Sequence, residues 1–596
     1  MYVFFLGSFS TSNPGFTFAK FAMDCPIARL NNDILWKIFL ENTETYNDNR
    51  LTTARHSSQV SRQWREIMLQ SSSIWGRVID LDDLYNSGRA VDQGPPPVTS
   101  HNWLREVVSR TGNALLWIIG DMCYILDHAL NRDFLLTFIE ENWDRIQRLD
   151  ISDRWSARQF IDGENVVRRQ YWHDLFKKSA PFLQEFVFVH SISGGSLLQD
   201  ARQGWILPSP VFKGTAPALK KFEIYRKGMF NLTNFKFTMD MPTSWLSKLR
   251  SLTIRQNCNI NQVLAILEIT PLLEDLTIDG YPYKSTENPG REIFHANLPK
   301  LAFVSLYKWR LRAPDMFTFL ERISPSRGCC FLISNPSYPN VIVNLQDIER
   351  FQVLIMRYVQ DFFEYHPSTC MTLSCNDRFL KIGEHSISES RHSLSMWMPL
   401  GEDNTALIQT VFNSPFFSTV VDLDLSDWMK GLPTPLSAFD SVTTLWIEYE
   451  TLMSLLQYMQ KGYDSMFLLV DVLKIGRSKL RLDNEYREPL GLFLQHRRTL
   501  DQPISVLDLS PSYQNLTCDL DNLEDLIGLV VKWRFTWDKP GEEYVCGSGH
   551  PDVLRFKTNY PDNGIYADSN RNRGYGRIRI PYSPAKEGWS GQIAYI

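Results

Sequence analysis

Apolar side chains recur along this chain with two different periods. Leu30, Ile34, Leu35, Ile38 and Phe39 stand at i, i+4, i+5, i+8 and i+9, the spacing that lines one face of an α-helix. Asn31 or Asn32 can accept the unpaired amide hydrogens of that helix's first turn, and Asp33 suits the positive end of its dipole. The stretch 52–69 predicts a second amphipathic helix, with Val60, Trp64, Ile67 and Met68 on one face and Arg55, Arg62, Gln63, Arg65 and Glu66 mostly on others. Ile74 and Trp75 follow as an apolar plug ahead of a short alternating strand over 78–81.

Beyond residue 140 the pattern changes to a recurring unit, apolar-x-x-apolar-x-apolar. It begins at Ile146, Leu183, Leu219, Leu249, Leu273, Leu301, Val420, Val442, Val470 and Ile504. The last three positions of each unit alternate with period two and read as a short strand. Pro181, Pro217, Pro271 and Pro299 stand two residues before four of these units, where a residue without an amide hydrogen is expected to end the preceding helix. Between the strands lie stretches with helical spacing: Val263, Leu264, Ile266, Leu267; Met316, Phe319, Leu320, Ile323; Leu452, Leu455, Leu456; and Leu492, Phe493, Leu494. A strand and helix of this size cannot cover their own apolar faces, so neighbouring units must stack. The expected fold is α/β: a small N-terminal helical domain, then an irregular leucine-rich-repeat solenoid of strand-helix units with a curved parallel sheet.

The expected divisions are a poorly ordered extension at 1–24, the helical domain at 25–81, linking helices at 82–145 and the repeat array at 146–536. A gap in the triplets, rich in Ser, Asn, Asp and Pro, predicts a long loop near 376–410. The composition after 537 turns to Gly, Pro, Tyr, Asn and Arg and predicts an irregular tail, which includes Arg571, Arg573, Tyr575 and Arg577.

Composition narrows the function classes. With 43% hydrophobic and 22% charged residues the chain has the balance of a folded protein, and its 596 residues can bury a large interior. A formal net charge of -5 offers no global electrostatic reason to bind nucleic acid or an acidic membrane. Nine cysteines without a paired CxxC element read as reduced thiols, and no window reaches the ~20 apolar residues of a bilayer span. The expectation is an intracellular protein, cytoplasmic or nuclear, with no membrane and no nucleic-acid partner.

The segment from 25 to 81 resembles the F-box family, in the fungal form with divergent leucine-rich repeats that is abundant in mushroom-forming fungi. The resemblance rests on Pro26, Ile27, Leu30, Asp33, Leu35, Ile38, Phe39, the run Val60-Ser61-Arg62-Gln63-Trp64-Arg65, and Ile74-Trp75. Two positions depart from the family pattern: Asn31 replaces the proline after the first leucine, and Ser61 replaces a frequent cysteine. Phrases such as Thr215-Ala216-Pro217-Ala218-Leu219 resemble the leucine-rich regions of the same proteins.

The resemblance implies a non-enzymatic substrate adaptor. Pro26, Ile27, Leu30, Ile34, Leu35, Ile38, Phe39, Val60, Trp64, Ile74 and Trp75 would bind or shape the surface for a Skp-type adaptor, and through it a cullin-RING ubiquitin ligase. The repeat array would hold an unknown target protein. The alternative is a leucine-rich interaction scaffold outside ubiquitin ligation.

Gly588-Trp589-Ser590-Gly591 falls short of a nucleophile elbow, Gly574-Tyr575-Gly576 lacks a third glycine, and no phosphate-binding GxxxxGK[ST] occurs. Cys370 with Cys375 and Cys546 with His550 are the nearest metal-like pairs, each without a second half. No catalytic residue, cofactor or metal is expected.

Overall fold

The computed structural model describes residues 27, 30–44, 50–82, 99–122, 129–156, 164–193, 208, 210–227, 244–255, 260–279, 294–307, 313–333, 345–375, 379–384, 394–399, 415–426, 439–462, 467–475, 486–510, 518–534 and 540–556. The protein is mixed α/β with mostly parallel strands. It divides into two compact units, 1–167 with 179–194, and 168–178 with 195–596.

The first unit opens with α1 (Asn32–Glu44), α2 (Arg50–Val60), α3 (Arg62–Gln70) and α4 (Ser72–Arg77), followed by β1 (Ile79–Asp80), α5 (Thr99–Arg110), β2 (Leu116–Asp121), α6 (Ala129–Glu141) and β3 (Ile146–Ser156). Next comes α7 (Glu164–Phe176), which belongs to the second unit from Arg168 onward, and then β4 (Glu185–Ser193). Strands β1, β2, β3 and β4 pair in that order, all parallel.

Two expectations change here. The single helix predicted over 52–69 is two helices, because Ser61 is extended (φ −151°, ψ 167°) and its Oγ accepts the Trp64 amide at 3.1 Å, capping α3. Serine favours such caps because its hydroxyl competes for backbone hydrogen bonds, and here that local preference breaks a continuous apolar stripe. The segment 82–145, expected as linking helices, contains the strand β2. Its pattern is hidden by a register shift between Leu116 and Trp117, and by Gly120 at the inward position that Ile151 fills on β3.

The second unit carries β5 (Lys221–Lys227), β6 (Ser251–Arg255), α8 (Ile260–Glu268), β7 (Asp275–Asp279), β8 (Ala296–Asn297), β9 (Phe303–Tyr307), α9 (Ala313–Arg322), β10 (Ile323–Ser324) and β11 (Cys330–Ile333). Strands β5, β6, β7, β9 and β11 pair successively in parallel, and β8 with β10 forms a small side pair. The predicted gap is occupied by α10 (Leu345–Tyr365), β12 (Cys370–Cys375), β13 (Phe379–Glu384) and β14 (Ser395–Pro399). Two of these strands lie within 376–410, where the sequence reading placed a long loop. β13 runs antiparallel between β12 and β14, while β14 joins β11 and β12 joins the next strand, each in parallel.

The ladder continues through β15 (Asp422–Asp424), β16 (Thr444–Ile447), α11 (Tyr449–Gln460), β17 (Val472–Ile475), α12 (Arg487–Thr499), β18 (Val506–Asp508) and β19 (Val530–Trp533), its strands again pairing successively in parallel. Strand β20 (Glu542–Val545) lies antiparallel on β19 within the region expected as irregular tail. Residues 557–596, like 1–24, lie outside the described residues.

Each of the ten apolar triplets runs from the lead-in turn or start of a parallel strand into or just past that strand, and each of their residues is buried except half-buried Ile254. The prolines act differently from expectation. The helix α8 already ends at Glu268, and Pro271 sits inside a turn in which Leu273 donates its amide to the Thr270 carbonyl at 3.2 Å. Leu219 and Leu301 close the same turn on Ala216 and Leu298 at 3.1 and 3.0 Å. Proline's fixed φ suits the second position of such a turn. Units without proline make it too, as Val442 does on Phe439 at 3.1 Å. The residue three before the triplet is buried in every case but Asp501, which precedes Ile504, and in the second unit the rings of Phe363, Phe417, Phe439 and Phe467 follow one another at 6.5, 5.1 and 6.5 Å between centroids.

Candidate functional site

The N-terminal helices form a hook whose apolar residues divide into interior and surface. Asn31 caps α1: its Oδ1 accepts the Ile34 amide at 2.8 Å and its carbonyl accepts Leu35 at 3.1 Å. From that start, Leu35 (0% exposed) and Phe39 (2%) point inward, Phe39 meeting Trp64 edge-on at 4.9 Å. Ile34 (45%) and Ile38 (41%), one helical turn apart on the neighbouring flank, point outward.

The corner between α2 and α3 is tied to the start of α1, because Gln63 Nε2 donates to Asn32 Oδ1 at 2.9 Å. Arg65 Nε donates to the Ser58 carbonyl at 3.1 Å across the same corner. Val60 there is 61% exposed, and Ile27 is exposed while Leu30 and Trp64 are half-buried. Ile74 and Trp75 are interior, with Trp75 Nε1 donating to the Met68 carbonyl at 2.7 Å and the Arg110 guanidinium 4.8 Å above its ring.

Of the eleven residues expected to bind a partner or shape its docking surface, Leu35, Phe39, Ile74 and Trp75 are interior. Ile27, Ile34, Ile38 and Val60 are exposed, and Pro26 lies outside the described residues. Leu69, on α3, was not singled out from the sequence and adds another exposed apolar side chain. Its signal was present: with Ile67 and Met68 turned inward, the next residue on a helix must turn away.

The hook is fixed to the first strand by a buried ion pair. Arg50 donates to the Asp80 carboxylate at 3.2 Å and to the Arg77 carbonyl at 3.2 Å, and the two charged side chains are 5% and 9% exposed. Burial at this level requires the charges to satisfy each other, so α2 and β1 hold one relative geometry. Asp80 also accepts the Asp82 amide at 3.0 Å. Sequence reasoning missed the pair, because thirty residues separate its members.

Cys546 is buried while His550 is exposed, and among the described residues no group of three or more His, Cys, Asp or Glu is placed to hold a metal ion. No described helix is long and apolar enough to cross a membrane. The chain matches no protein-family model, and it has no significant match among curated proteins.

Proposed function

We propose that the chain is the substrate-recognition adaptor of a Skp-cullin-F-box ubiquitin ligase. The carrying observation is the exposed apolar pair Ile34 and Ile38 on α1, with Val60 and Leu69 also exposed on α2 and α3, while Leu35, Phe39, Ile67 and Met68 are buried. Surface side chains of this size, gathered on so small a subdomain, suit an apolar groove of a partner. The resemblance of 25–81 to F-box domains supplies the identity of that partner, a Skp-type adaptor. The Asn31 departure is compatible with docking, since asparagine starts α1 by capping it.

In this reading the strand-helix array is a divergent leucine-rich solenoid that holds a target protein. Ubiquitin transfer would then be favoured by proximity, with no side-chain catalysis in this chain. The Arg50–Asp80 pair would keep the hook and the first strands of its unit in one orientation.

The test is binding of the intact chain to a purified Skp-type adaptor beside an Ile34→Asp/Ile38→Asp variant. Because both side chains are outside the core, the variant should keep the circular dichroism of the native chain and lose binding by at least about 100-fold, a conversion of roughly 2.7 kcal/mol. A well-folded native chain that fails to bind would discard the adaptor reading and leave the interaction scaffold. Leu35→Asp is unsuitable as a probe, since it places a charge in the hook's interior.

A further inference from the structure

A cavity between α5 and α6 of the first unit measures about 230 Å³, room for a small molecule rather than for one water, whose share of the liquid is about 30 Å³. Val108 on α5 and Phe134 and Phe138 on α6 give it an apolar wall, the two rings stacking 6.4 Å apart. Arg145 and Glu141 line the same space and bring opposite charges to it.

The guanidinium is held in place by neutral groups. Arg145 Nη1 donates to the Gly112 carbonyl and Nη2 to Thr111 Oγ1 at 2.6 Å, while the Thr111 hydroxyl donates to the Val108 carbonyl at 2.8 Å. Among the described residues Nε is sealed from solvent without a hydrogen-bond partner. Arginine carries five N–H donors, so one on each Nη remains for a ligand. Burial lowers the Arg145 pKa, as expected of a cation short of counter-charge.

Glu141, four residues earlier, is the carboxylate that a continuous helix would bring to Arg145. The helix α6 ends at Glu141, however, and the chain turns through a 3-10 segment at Trp143–Arg145. Among the described residues neither charge forms an ion pair, although both line one cavity. Opposite charges held apart beside an apolar wall complement a molecule that carries both charges and an apolar body. Glu141 also opposes a multiply charged anion such as phosphate, because like charges in one site repel.

We propose that this cavity binds a free α-amino acid with an apolar side chain, its carboxylate on the two spare Nη donors of Arg145, its ammonium at Glu141 and its side chain against Val108, Phe134 and Phe138. The site uses none of the residues assigned to adaptor docking and stands whether or not that reading holds.

Isothermal titration calorimetry of the intact chain with L-phenylalanine and with L-leucine tests it. One-to-one binding is expected for at least one of them. The N-acetyl derivative of that ligand lacks the ammonium and its amide lacks the carboxylate, so each should bind at least about tenfold more weakly. Glu141 makes no side-chain hydrogen bond or ion pair among the described residues, so Glu141→Gln should keep native circular dichroism. That variant should lose the preference for the free amino acid over its N-acetyl derivative. Arg145→Met should remove binding, and the Glu141 variant carries the test if loss of the bonds to Thr111 and Gly112 unfolds the arginine variant. No saturable binding of either amino acid up to about 10 mM would overturn the proposal. So would equal binding of the free and derivatised forms, or a preference unchanged by Glu141→Gln.

Discussion

Buried polar side chains carry the sharpest single-residue consequences in this protein. Arg50 and Asp80 are nearly inaccessible and satisfy each other, so truncating either one strands a charge in the interior. Arg50→Ala is expected to destabilise the first unit by roughly 3–5 kcal/mol, measured by urea unfolding, whereas an Arg50→Met/Asp80→Leu pair should cost much less than the two single changes together. The recurring tetrapeptide Leu-Asp-Leu-Ser shows a milder device. In both Leu423–Ser426 and Leu507–Ser510 the aspartate, fully buried at Asp424 and half-buried at Asp508, stands between two buried leucines and accepts the amide two residues on, at 3.0 and 2.9 Å. Thiol reactivity follows burial as well. Burial, then the charge of Cys330, raises the Cys329 thiol pKa, and burial, then Glu524, raises that of Cys546 to about 11. Iodoacetamide at pH 8 should therefore label half-buried Cys370 well before Cys329 or Cys546 in the folded chain, a ranking that peptide mass spectrometry reads directly.

Element boundaries are set by capping and turn residues more than by apolar periodicity. Asn31 and Ser61 each begin a helix with a side-chain hydrogen bond, and Ser61 divides what the apolar pattern presents as one helix. Asn31→Ala should lower hook stability by about 1 kcal/mol, seen as faster amide exchange at Ile34 and Leu35. The strands that lack a legible triplet tell the same story. Register aligns Phe331 with Val304, Met371 with Leu423 and Val531 with Leu507, so the leading apolar position of the triplet is Gly328 on the first, Ser368 on the second and Gly528 on the third. Gly328 has φ +69°, and an added Cβ would lie 2.4 Å from the Tyr365 ring. Gly328→Ala thus meets backbone strain and a steric clash at once, with an expected loss of about 1–3 kcal/mol in thermal or urea unfolding. Gly528→Ala, with φ +92° but open space around it, should show the strain alone and lose less.

At the scale of the whole molecule, the end of the second unit is closed by carboxylates. Asp521 joins Arg487 and Arg555, and its pKa is lowered first by the Arg555 hydrogen bond. Burial pushes the Glu524 carboxyl up, but the Gly549 amide at 2.7 Å, the Tyr544 hydroxyl at 2.8 Å and the Gly547 amide outweigh it and leave the pKa lowered. Both groups bind protons less readily folded than unfolded. Their stabilisation is therefore complete above the unfolded carboxyl range, about 4, and is lost as pH falls through their lower folded values. The protection of amides in 542–549, measured against their intrinsic exchange rates, should fall between pH 5 and pH 3 more than protection in β16 or β17, and Glu524→Gln should flatten that dependence. An equal response of all these segments would place the acid-sensitive groups elsewhere.

Much of the scaffold is determined locally and could be read from the chain alone. Ten triplets specify ten strands because a two-residue period puts both final apolar residues on one side of a sheet, and burial of nearly all of them follows. The hook's first helix is likewise legible from spacing and a cap. Only the tertiary structure decided which apolar residues of the hook are spare: Leu35 and Ile34 are neighbours in the chain, yet one is core and the other surface, because the position of α3 and Trp64 fixes the inward side. It also decided the reversed insertion of β14, β13 and β12 and the Arg50–Asp80 tie, since both depend on residues distant in sequence meeting in space. Periodicity encodes the face an element buries, whereas the neighbour it is buried against is a property of the assembled chain.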